Sequence, residues 1–131
     1  MKRYWDSSAL LDCLGDSRIE QQAREADQWT RPHSLAEMFS QLTGGRLGIR
    51  YVPDDAAAMI AEITERMNFV DLTRAEIQTA LKQAQARGVR GGNVHDWLHA
   101  VAARKARVEV LLTDNFTDFE DLHDGFRIEP P

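Results

Sequence analysis

The sequence predicts a three-layer α/β/α fold with a mainly parallel central sheet of about four or five strands. Two observations lead to this fold class. Short apolar runs alternate along the chain with longer segments whose apolar residues recur at helical spacing, an order typical of a parallel sheet covered by helices on both faces. The length of 131 residues suits one domain with a substantial core, and we expect residues 1–131 to form it.

The N-terminal half begins the alternation at once. We expect a short strand in "KRYWDSS" (2–8) and a helix starting in "SALLDCL" (8–14). A polar helix in "RIEQQAREADQW" (18–29) and a brief extended piece in "TRPHS" (30–34) follow. The next helix is "LAEMFSQLT" (35–43), where two glycines mark its end. The connection "GGRLGIRYVP" (44–53) shows no clear pattern.

The C-terminal half continues with a helix over 54–67, a strand in "NFVDLT" (68–73) and a helix over 74–88. The segment 94–107 is predicted to be helical, because its apolar residues follow the spacing i, i+3, i+4 and i+7. "VEVLLT" (108–113) is the clearest strand, a short helix follows it, and "FRIEPP" (126–131) can add one edge strand.

Composition and charge narrow the class of protein. Hydrophobic residues make up 43% and charged residues 28%, which is ordinary for a globular protein. The net charge of −5 argues against a protein that holds nucleic acid by charge alone. No apolar run is long enough for a bilayer, and the basic start lacks a signal core. The single cysteine, Cys13, excludes an internal disulfide and is interpreted as a buried hydrophobe, so we expect a cytoplasmic protein.

Carboxylates from four separate segments are predicted to meet at one edge of the sheet. Asp6 ends the first strand, Glu37 lies in the first turn of the predicted helix 35–43, and Asp96 lies in the first turn of the helix 94–107. The exit from the strand 108–113 adds three polar residues, Asp114, Asn115 and Asp118. Because ligands of such sheets bind outside the carboxyl ends of the strands, this rim is the candidate site.

Helix capping is the alternative explanation of these acids. The segments Ser34–Glu37 and Asn93–Asp96 both have the spacing of a capping box, and so does Thr73–Glu76, to which we assign no function. Taken singly, each acid is explained by capping and by the helix dipole. Taken together, crowded carboxylates repel and raise each other's pKa unless a cation lies among them. The set therefore indicates a metal site.

The ligand types indicate which ion. Oxygen ligands without sulfur suit Mg²⁺ or Mn²⁺. His95 and His99 are four residues apart and could bind zinc, but no third ligand follows at zinc-like spacing. We therefore interpret them as surface or partner-facing histidines.

Other α/β classes fit poorly. A haloacid-type phosphatase needs a second Asp two residues after the first, where this chain has Ser8. A receiver domain needs a lysine at a late strand end, and "VLLTDN" has none. Neither glycine-rich segment follows a strand as Gly-x-Gly-x-x-Gly. A non-catalytic interaction module stays open as the alternative to an enzyme.

Four motifs resemble those of the PIN domain: "YWDSSALL", "SLAEMFSQL", "VHDWLHAVAA" and "LLTDNFTDFE". The resemblance runs from about Arg3 to Ile128, and the short single-domain form resembles the VapC toxins of toxin–antitoxin pairs. It implies an α/β/α fold and a Mg²⁺- or Mn²⁺-dependent endoribonuclease that cleaves RNA. It also implies a cognate antitoxin and a homodimer as partners.

The resemblance assigns residues by position. Asp6, Glu37 and Asp96 match the family's first three acids, and Ser7 or Ser8 matches the small hydroxyl residue after the first acid. Asp6 and Asp96 are thereby expected to hold the metal, while Glu37 positions or deprotonates the attacking water.

The fourth motif departs from the family. Thr113 matches the threonine that closes the fourth strand, but many members have Thr-x-Asp where this chain has Asn115. Asp118 follows three residues later, about one helical turn on and facing the same way. We predict Asp118 as the fourth acid and third metal ligand with Asn115 beside it, and keep Asp114 as the alternative.

Two surfaces are candidates for partners. Arg87 and Arg90 precede the helix of Asp96. We expect them either to contact the RNA backbone or to belong to a solvated loop. The segment 56–67 carries more apolar residues than one buried stripe needs, which favours either an antitoxin-binding surface or ordinary core: Met59, Ile60, Ile63 and Met67.

Overall fold

Five parallel strands form the centre of the computed structural model, which describes residues 1–45, 48–122 and 125–131. The described elements, in chain order, are β1 (Arg3–Trp5), α1 (Ser7–Leu11), α2 (Ser17–Ala23), β2 (Gln28–Thr30), α3 (Pro32–Thr43), α4 (Pro53–Thr64), β3 (Asn68–Phe69), α5 (Arg74–Lys82), α6 (Val94–Lys105), β4 (Val110–Leu112), α7 (Phe116–Phe119) and β5 (Arg127–Glu129). Part of the connection that gave no sequence pattern, residues 46 and 47, lies outside the described residues.

The strand order β3-β2-β1-β4-β5 places β1 at the centre. Tyr4 of β1 pairs with Trp29 of β2 on one side and with Leu111 of β4 on the other. The chain moves outward from β1 to β3 and then returns to the far side of β1. Strand order therefore reverses between β1 and β4, and this is the place where open parallel sheets bind ligands at their carboxyl edge.

Two hydrophobic cores cover the two faces of the sheet. Alternate side chains of β1 point to opposite faces, so Tyr4 enters one core and Trp5 the other. The Tyr4 core packs α5, α6 and α7 against the sheet, and the Trp5 core packs α1 to α4. The predicted three-layer fold is confirmed. No helix in the described part of the chain is long and apolar enough to cross a membrane.

The second strand lies earlier than predicted. It occupies Gln28–Thr30, which the sequence reading had assigned to the end of a helix and the start of the extended piece. The α2 helix already ends at Ala23, because residues 28–30 are drawn into pairing with β1 and β3. Pro32 then begins α3, a position that its fixed φ suits.

This earlier start changes the surroundings of Glu37. Arg31 is the N-cap residue and makes no side-chain capping hydrogen bond, while Ser34 lies inside the helix, where its hydroxyl contacts Thr30 Oγ1 at 2.8 Å. The expected capping box Ser34–Glu37 is therefore wrong. Glu37 lies in the second turn of α3 and not in the first.

The apolar stripe of α4 is mostly core. Ile60, Ile63 and Met67 are all buried in the Trp5 core. These three residues therefore belong to ordinary core, one of the two alternatives for this segment, while Met59 is only partly buried and the antitoxin-binding surface stays a prediction.

Candidate functional site at the carboxyl edge of the sheet

Asp6 is fixed between β1 and β4, where strand order reverses. Its Oδ1 accepts hydrogen bonds from the Ser8 hydroxyl at 2.7 Å and from the Ala9 backbone N–H at 2.9 Å, and its Oδ2 accepts one from the Thr113 hydroxyl at 2.6 Å. The side chain also caps α1. Only 2% of Asp6 is exposed, so this carboxylate is held rigidly by two hydroxyls and one backbone amide.

The environment of Asp6 acts on its pKa in both directions. Burial raises the pKa, while the positive charge of His99 and the hydrogen bonds from Thr113, Ala9 and Ser8 lower it, with a net rise. A buried acid of this kind is stabilised when a positive charge approaches it.

Glu37 is connected to the protein interior through a buried histidine. His99 Nε2 lies 2.7 Å from Glu37 Oε1, and His99 Nδ1 lies 2.8 Å from the Tyr4 hydroxyl. His99 is 1% exposed and Tyr4 is fully buried. Burial raises the pKa of Tyr4 well above its usual value, so the phenol stays protonated. The Tyr4–His99–Glu37 chain therefore fixes the Glu37 carboxylate in orientation.

Histidines determine the charge of Glu37. Burial tends to raise its pKa, but the hydrogen bond from His99 and the charges of His99, His33 and His95 lower it overall. Glu37 is therefore an ionised carboxylate at neutral pH. It is a weak base and a good acceptor of hydrogen bonds.

The pKa of Asp96 is raised, in contrast to that of Glu37. Burial raises its pKa to about 6, and the negative charges of Asp118, Asp6 and Glu37 add to the rise, against a lowering by His99. The charges of three acids from distant segments therefore all act on Asp96. The predicted cap of α6 is absent, because Asn93 makes no side-chain capping bond and instead accepts from the Arg90 N–H at 2.8 Å.

The two candidates for the fourth acid lie on different sides. Asp118 is exposed in α7, and among the neighbouring acids its charge raises the pKa of Asp96 the most. Asp114 hydrogen-bonds with Asp12, whose pKa rises to about 7 because of burial and then because of Asp114 itself. Asp114 and Asp12 line a cavity whose walls also include Ser8, and the Asp114 backbone N–H donates to the Ser8 hydroxyl at 3.0 Å. Of the two candidates, Asp118 is therefore the one whose charge raises the pKa of Asp96.

Two hydroxyl groups, from Thr113 and Ser8, support Asp6. Thr113 follows β4, donates to Asp6 and accepts from the Asn115 backbone N–H at 2.9 Å, so Asn115 braces the turn through its backbone. Ser8 and not Ser7 supplies the hydroxyl beside Asp6. Ser7 instead lines the cavity next to Glu37. Of the two serines left open by the resemblance, Ser8 makes the contact.

The histidines differ from their sequence interpretation. His99 is buried, so its assignment to the surface is wrong, and it points to Tyr4 and Glu37. His95 is exposed and stacks on His33, with ring centroids 5.7 Å apart and planes at 13°. Burial lowers the pKa of His33, and the charges of Arg31 and His95 add to this, against a rise caused by Glu37.

Sequence reasoning missed Tyr4 and His33 and misassigned His99, although the spacing of each from an acid is informative. Tyr4 is two residues before Asp6 on a strand, the spacing that shares one face. His99 is three residues after Asp96, and His33 is four before Glu37, the spacings of neighbours on one helix face.

The arginines before α6 have separate surroundings. The Arg87 guanidinium lies over the Trp97 ring, 5.3 Å from its centroid, so it packs against the core of this helix. Arg90 is exposed in the turn before α6. Of the pair, Arg90 is the one whose side chain is available to solvent.

Comparison with family models finds no match, and comparison with curated proteins finds none either. Among solved structures, the chain is similar to PAE2754 from Pyrobaculum aerophilum, with a TM-score of 0.68 and 13% sequence identity. The similarity covers 98% of this chain and 89% of that one. At this identity the likeness shows the fold alone.

Proposed function

We propose that the protein is a Mg²⁺- or Mn²⁺-dependent endoribonuclease of the PIN type and the toxin of a toxin–antitoxin pair. The observation that carries the proposal is the convergence of acids from separate segments at the switch point of the sheet. The pKa of Asp96 responds to the charges of Asp118, Asp6 and Glu37 together. The ribonuclease and toxin assignments come from the four motifs that resemble the PIN family, and the fold agrees with that resemblance.

The donor types suit such an ion, because all three side chains offer carboxylate oxygens. A carboxylate offers about four lone-pair positions, and Asp6 uses three of them, which leaves one on Oδ2. Asp96, with its raised pKa, is an acid whose charged form a divalent cation would stabilise. Asp6, Asp96 and Asp118 would hold the ion. When bound, it would polarise the phosphodiester and promote ionisation of a water molecule.

The chain itself positions the reactants. Glu37 has a lowered pKa, so it is suited to orient an attacking water by accepting its hydrogen bond rather than to remove its proton. His99 and Tyr4 keep Glu37 in place. Arg90, exposed at the start of α6, is a candidate contact for the RNA backbone.

RNA cleavage by the purified protein tests the enzymatic proposal. We expect cleavage with Mg²⁺ or Mn²⁺ that stops on chelation. Asp118→Asn should reduce the rate by at least about 100-fold, because loss of a metal ligand removes several kcal/mol of charge stabilisation. Asp114→Asn is the matched control and should leave the rate within about twofold of wild type. The reverse pattern would make Asp114 the fourth acid.

Folded protein that cleaves no RNA with either ion would favour the non-catalytic interaction module. In that case the affinity for Mn²⁺ should also be unaffected by Asp6→Ala.

The partners are tested separately. Expression of the chain should arrest growth, and co-expression of a DNA-binding protein encoded directly upstream should relieve the arrest. A homodimer is the commonest soluble assembly and would place two acid sites in one groove. Sedimentation that shows only monomer at micromolar concentration would contradict it.

A further inference from the structure

Next to the acid cluster, two imidazoles and one carboxylate come together. His33, Glu37 and His95 each place a ligand atom within 4.8 Å of the others, and this is the one such group of three among residues 1–45, 48–122 and 125–131. We propose that these three side chains form a second metal site, selective for Zn²⁺ over Mg²⁺. It differs from the proposed nuclease site in donor type and in two of its three residues.

The helices explain how the group forms. His33 and Glu37 are four residues apart on α3, so their side chains project from the same face. His95, the second residue of α6, approaches from the neighbouring helix and stacks on His33. The three side chains line a cavity of about 380 Å³ whose walls also include Ser7, Ser40 and Gln41. The site is open to solvent, so an ion can enter it.

The donor chemistry favours zinc. Two histidines and one glutamate are a known catalytic zinc set, in which three protein ligands leave further positions for water or substrate. Imidazole nitrogen suits Zn²⁺, whereas Mg²⁺ prefers oxygen ligands. The hydrogen bond from His99 to Glu37 Oε1 is a contact of the kind that orients a ligating carboxylate. His99 is in turn held by Tyr4, so the ligand on α3 is supported from the core.

Zinc at this site would affect the nuclease, a consequence that rests on the proposed function. Glu37 belongs to both sites, and a carboxylate bound to Zn²⁺ has less capacity to orient water for the reaction. Zinc should therefore inhibit Mg²⁺- or Mn²⁺-dependent cleavage by taking Glu37 from the acid cluster.

Calorimetric titration of Zn²⁺ into the metal-free full chain tests the site without any assay of activity. With Mg²⁺ present in excess to occupy the acids, we expect one Zn²⁺ per chain at a site from which Mg²⁺ does not displace it. His33→Ala and His95→Ala should each weaken Zn²⁺ binding by more than about tenfold, because loss of even an outer partner of a metal ligand costs roughly 10–100-fold. Both positions are exposed, so these variants should fold, which circular dichroism checks.

Two further variants locate the ion. Gln41→Ala alters a wall of the cavity without removing an imidazole, and Asp96→Asn alters the acid cluster; both should retain Zn²⁺ affinity within about threefold. Co²⁺ in place of Zn²⁺ should give a visible spectrum that His33→Ala and His95→Ala change. Unaltered Zn²⁺ affinity in both histidine variants would overturn the proposal. So would loss of Zn²⁺ binding in Asp96→Asn while the histidine variants retain it, since the ion would then lie among the acids.

Inhibition is measured with wild type and the same variants. For each protein, the rate of RNA cleavage with Zn²⁺ is divided by its own rate without Zn²⁺. Wild type should lose most of its activity at one equivalent of Zn²⁺, and His95→Ala should need more than about ten times as much. If the chain cleaves no RNA, the calorimetric result still decides the zinc site, so failure of the two proposals is distinguishable.

Discussion

The starts of α5 and α6 have similar sequence patterns and different structures. At α5, Thr73 and Glu76 form a true capping box: the Thr73 hydroxyl accepts from the Glu76 N–H at 3.1 Å, and Glu76 Oε1 accepts from the Thr73 N–H at 2.8 Å. At α6, Asn93 caps nothing, and Asp96 is half-buried at the carboxyl edge of the sheet. Spacing alone therefore does not distinguish an acid that caps a helix from one that makes no capping bond and is partly buried.

The electrostatic surroundings do distinguish them. The Lys105 ammonium, 2.7 Å from Glu76, and the backbone N–H of Thr73 lower the pKa of Glu76, so its charge stabilises the fold. Burial and the nearby acids raise the pKa of Asp96 to about 6, so its charge destabilises the metal-free fold. An acid that is kept at a cost to stability is what the proposed metal site predicts. Four experiments test this contrast between Glu76 and Asp96.

The largest difference should appear in catalysis. Asp96→Asn should lower RNA cleavage by at least about 100-fold, because several kcal/mol of metal-dependent charge stabilisation are lost. Glu76→Gln, the matched change at α5, should leave the rate within about twofold. Both rates are measured on one RNA with saturating Mn²⁺. Near-normal cleavage by Asp96→Asn would show that Asp96 has only a structural role at the start of α6.

The next experiment compares Glu37, which contacts the buried His99, with Glu76, which contacts the exposed Lys105. His99→Leu leaves the buried Tyr4 hydroxyl and the Glu37 carboxylate without their shared partner, and should cost about 2 kcal/mol of unfolding free energy. Lys105→Met removes an exposed ion pair with Glu76, and its urea midpoint should stay close to that of wild type. Equal urea midpoints for the two variants would mean that the Tyr4–His99–Glu37 chain adds nothing to stability.

A smaller change in stability is expected from loss of the capping box of α5. Thr73→Ala removes the hydroxyl that accepts from the Glu76 N–H and should cost about 1 kcal/mol of unfolding free energy. RNA cleavage per folded molecule should not change, because α5 begins away from the acid cluster. Thr73→Ser, which keeps the hydroxyl, is the control and should recover most of the loss. A drop in cleavage with Thr73→Ala would tie α5 to the site.

The fold was largely predictable because hydrophobic periodicity is a local signal. The alternation of strands and helices, the strand at 110–112 and the helix from Val94 were all correct. The second strand was misplaced because Gln28 and Trp29 carry no local strand pattern, and their pairing with β1 supplies the stabilisation. Pro32, a favourable first residue of a helix, was the signal that could have moved both boundaries.

The candidate site was predictable in its acids and less so in their partners. Topology brings the ends of parallel elements to one edge, so the convergence of Asp6, Glu37 and Asp96 follows from element order. Which hydroxyl contacts Asp6, or which histidine is buried, depends on side-chain packing between segments about 100 residues apart. Spacing gives no information on the contact between His99 and Tyr4. It also does not decide between Ser7 and Ser8, since both lie within two residues of Asp6.

The smallest effect concerns stability and pH. The pKa of Asp96 is about 6 in the folded protein, above the ordinary value of 3.8, so the folded state binds the proton more tightly than the unfolded state. The unfavourable contribution of Asp96 is absent below about pH 4, grows as the pH rises from about 4 to about 6, and is fully present above about 6. After allowance for solvent screening of a half-exposed group, it amounts to about 1 kcal/mol at pH 7.

Asp96→Asn removes this contribution. Without metal, the variant should melt about 3 °C higher than wild type at pH 7 and at nearly the same temperature at pH 4.5. With Mn²⁺ at pH 7, the order should reverse, because the bound ion adds RT ln(1 + [L]/Kd) to the stability of wild type and less to that of the variant. Glu76→Gln is again the control: it removes an exposed charge that no neighbouring acid opposes, so its metal-free melting temperature should not rise at pH 7, and Mn²⁺ should stabilise it as it does wild type. A metal-free Asp96→Asn protein that melts below wild type at pH 7 would show that Asp96 stabilises its helix, as Glu76 does, and would remove the contrast between the two helix starts.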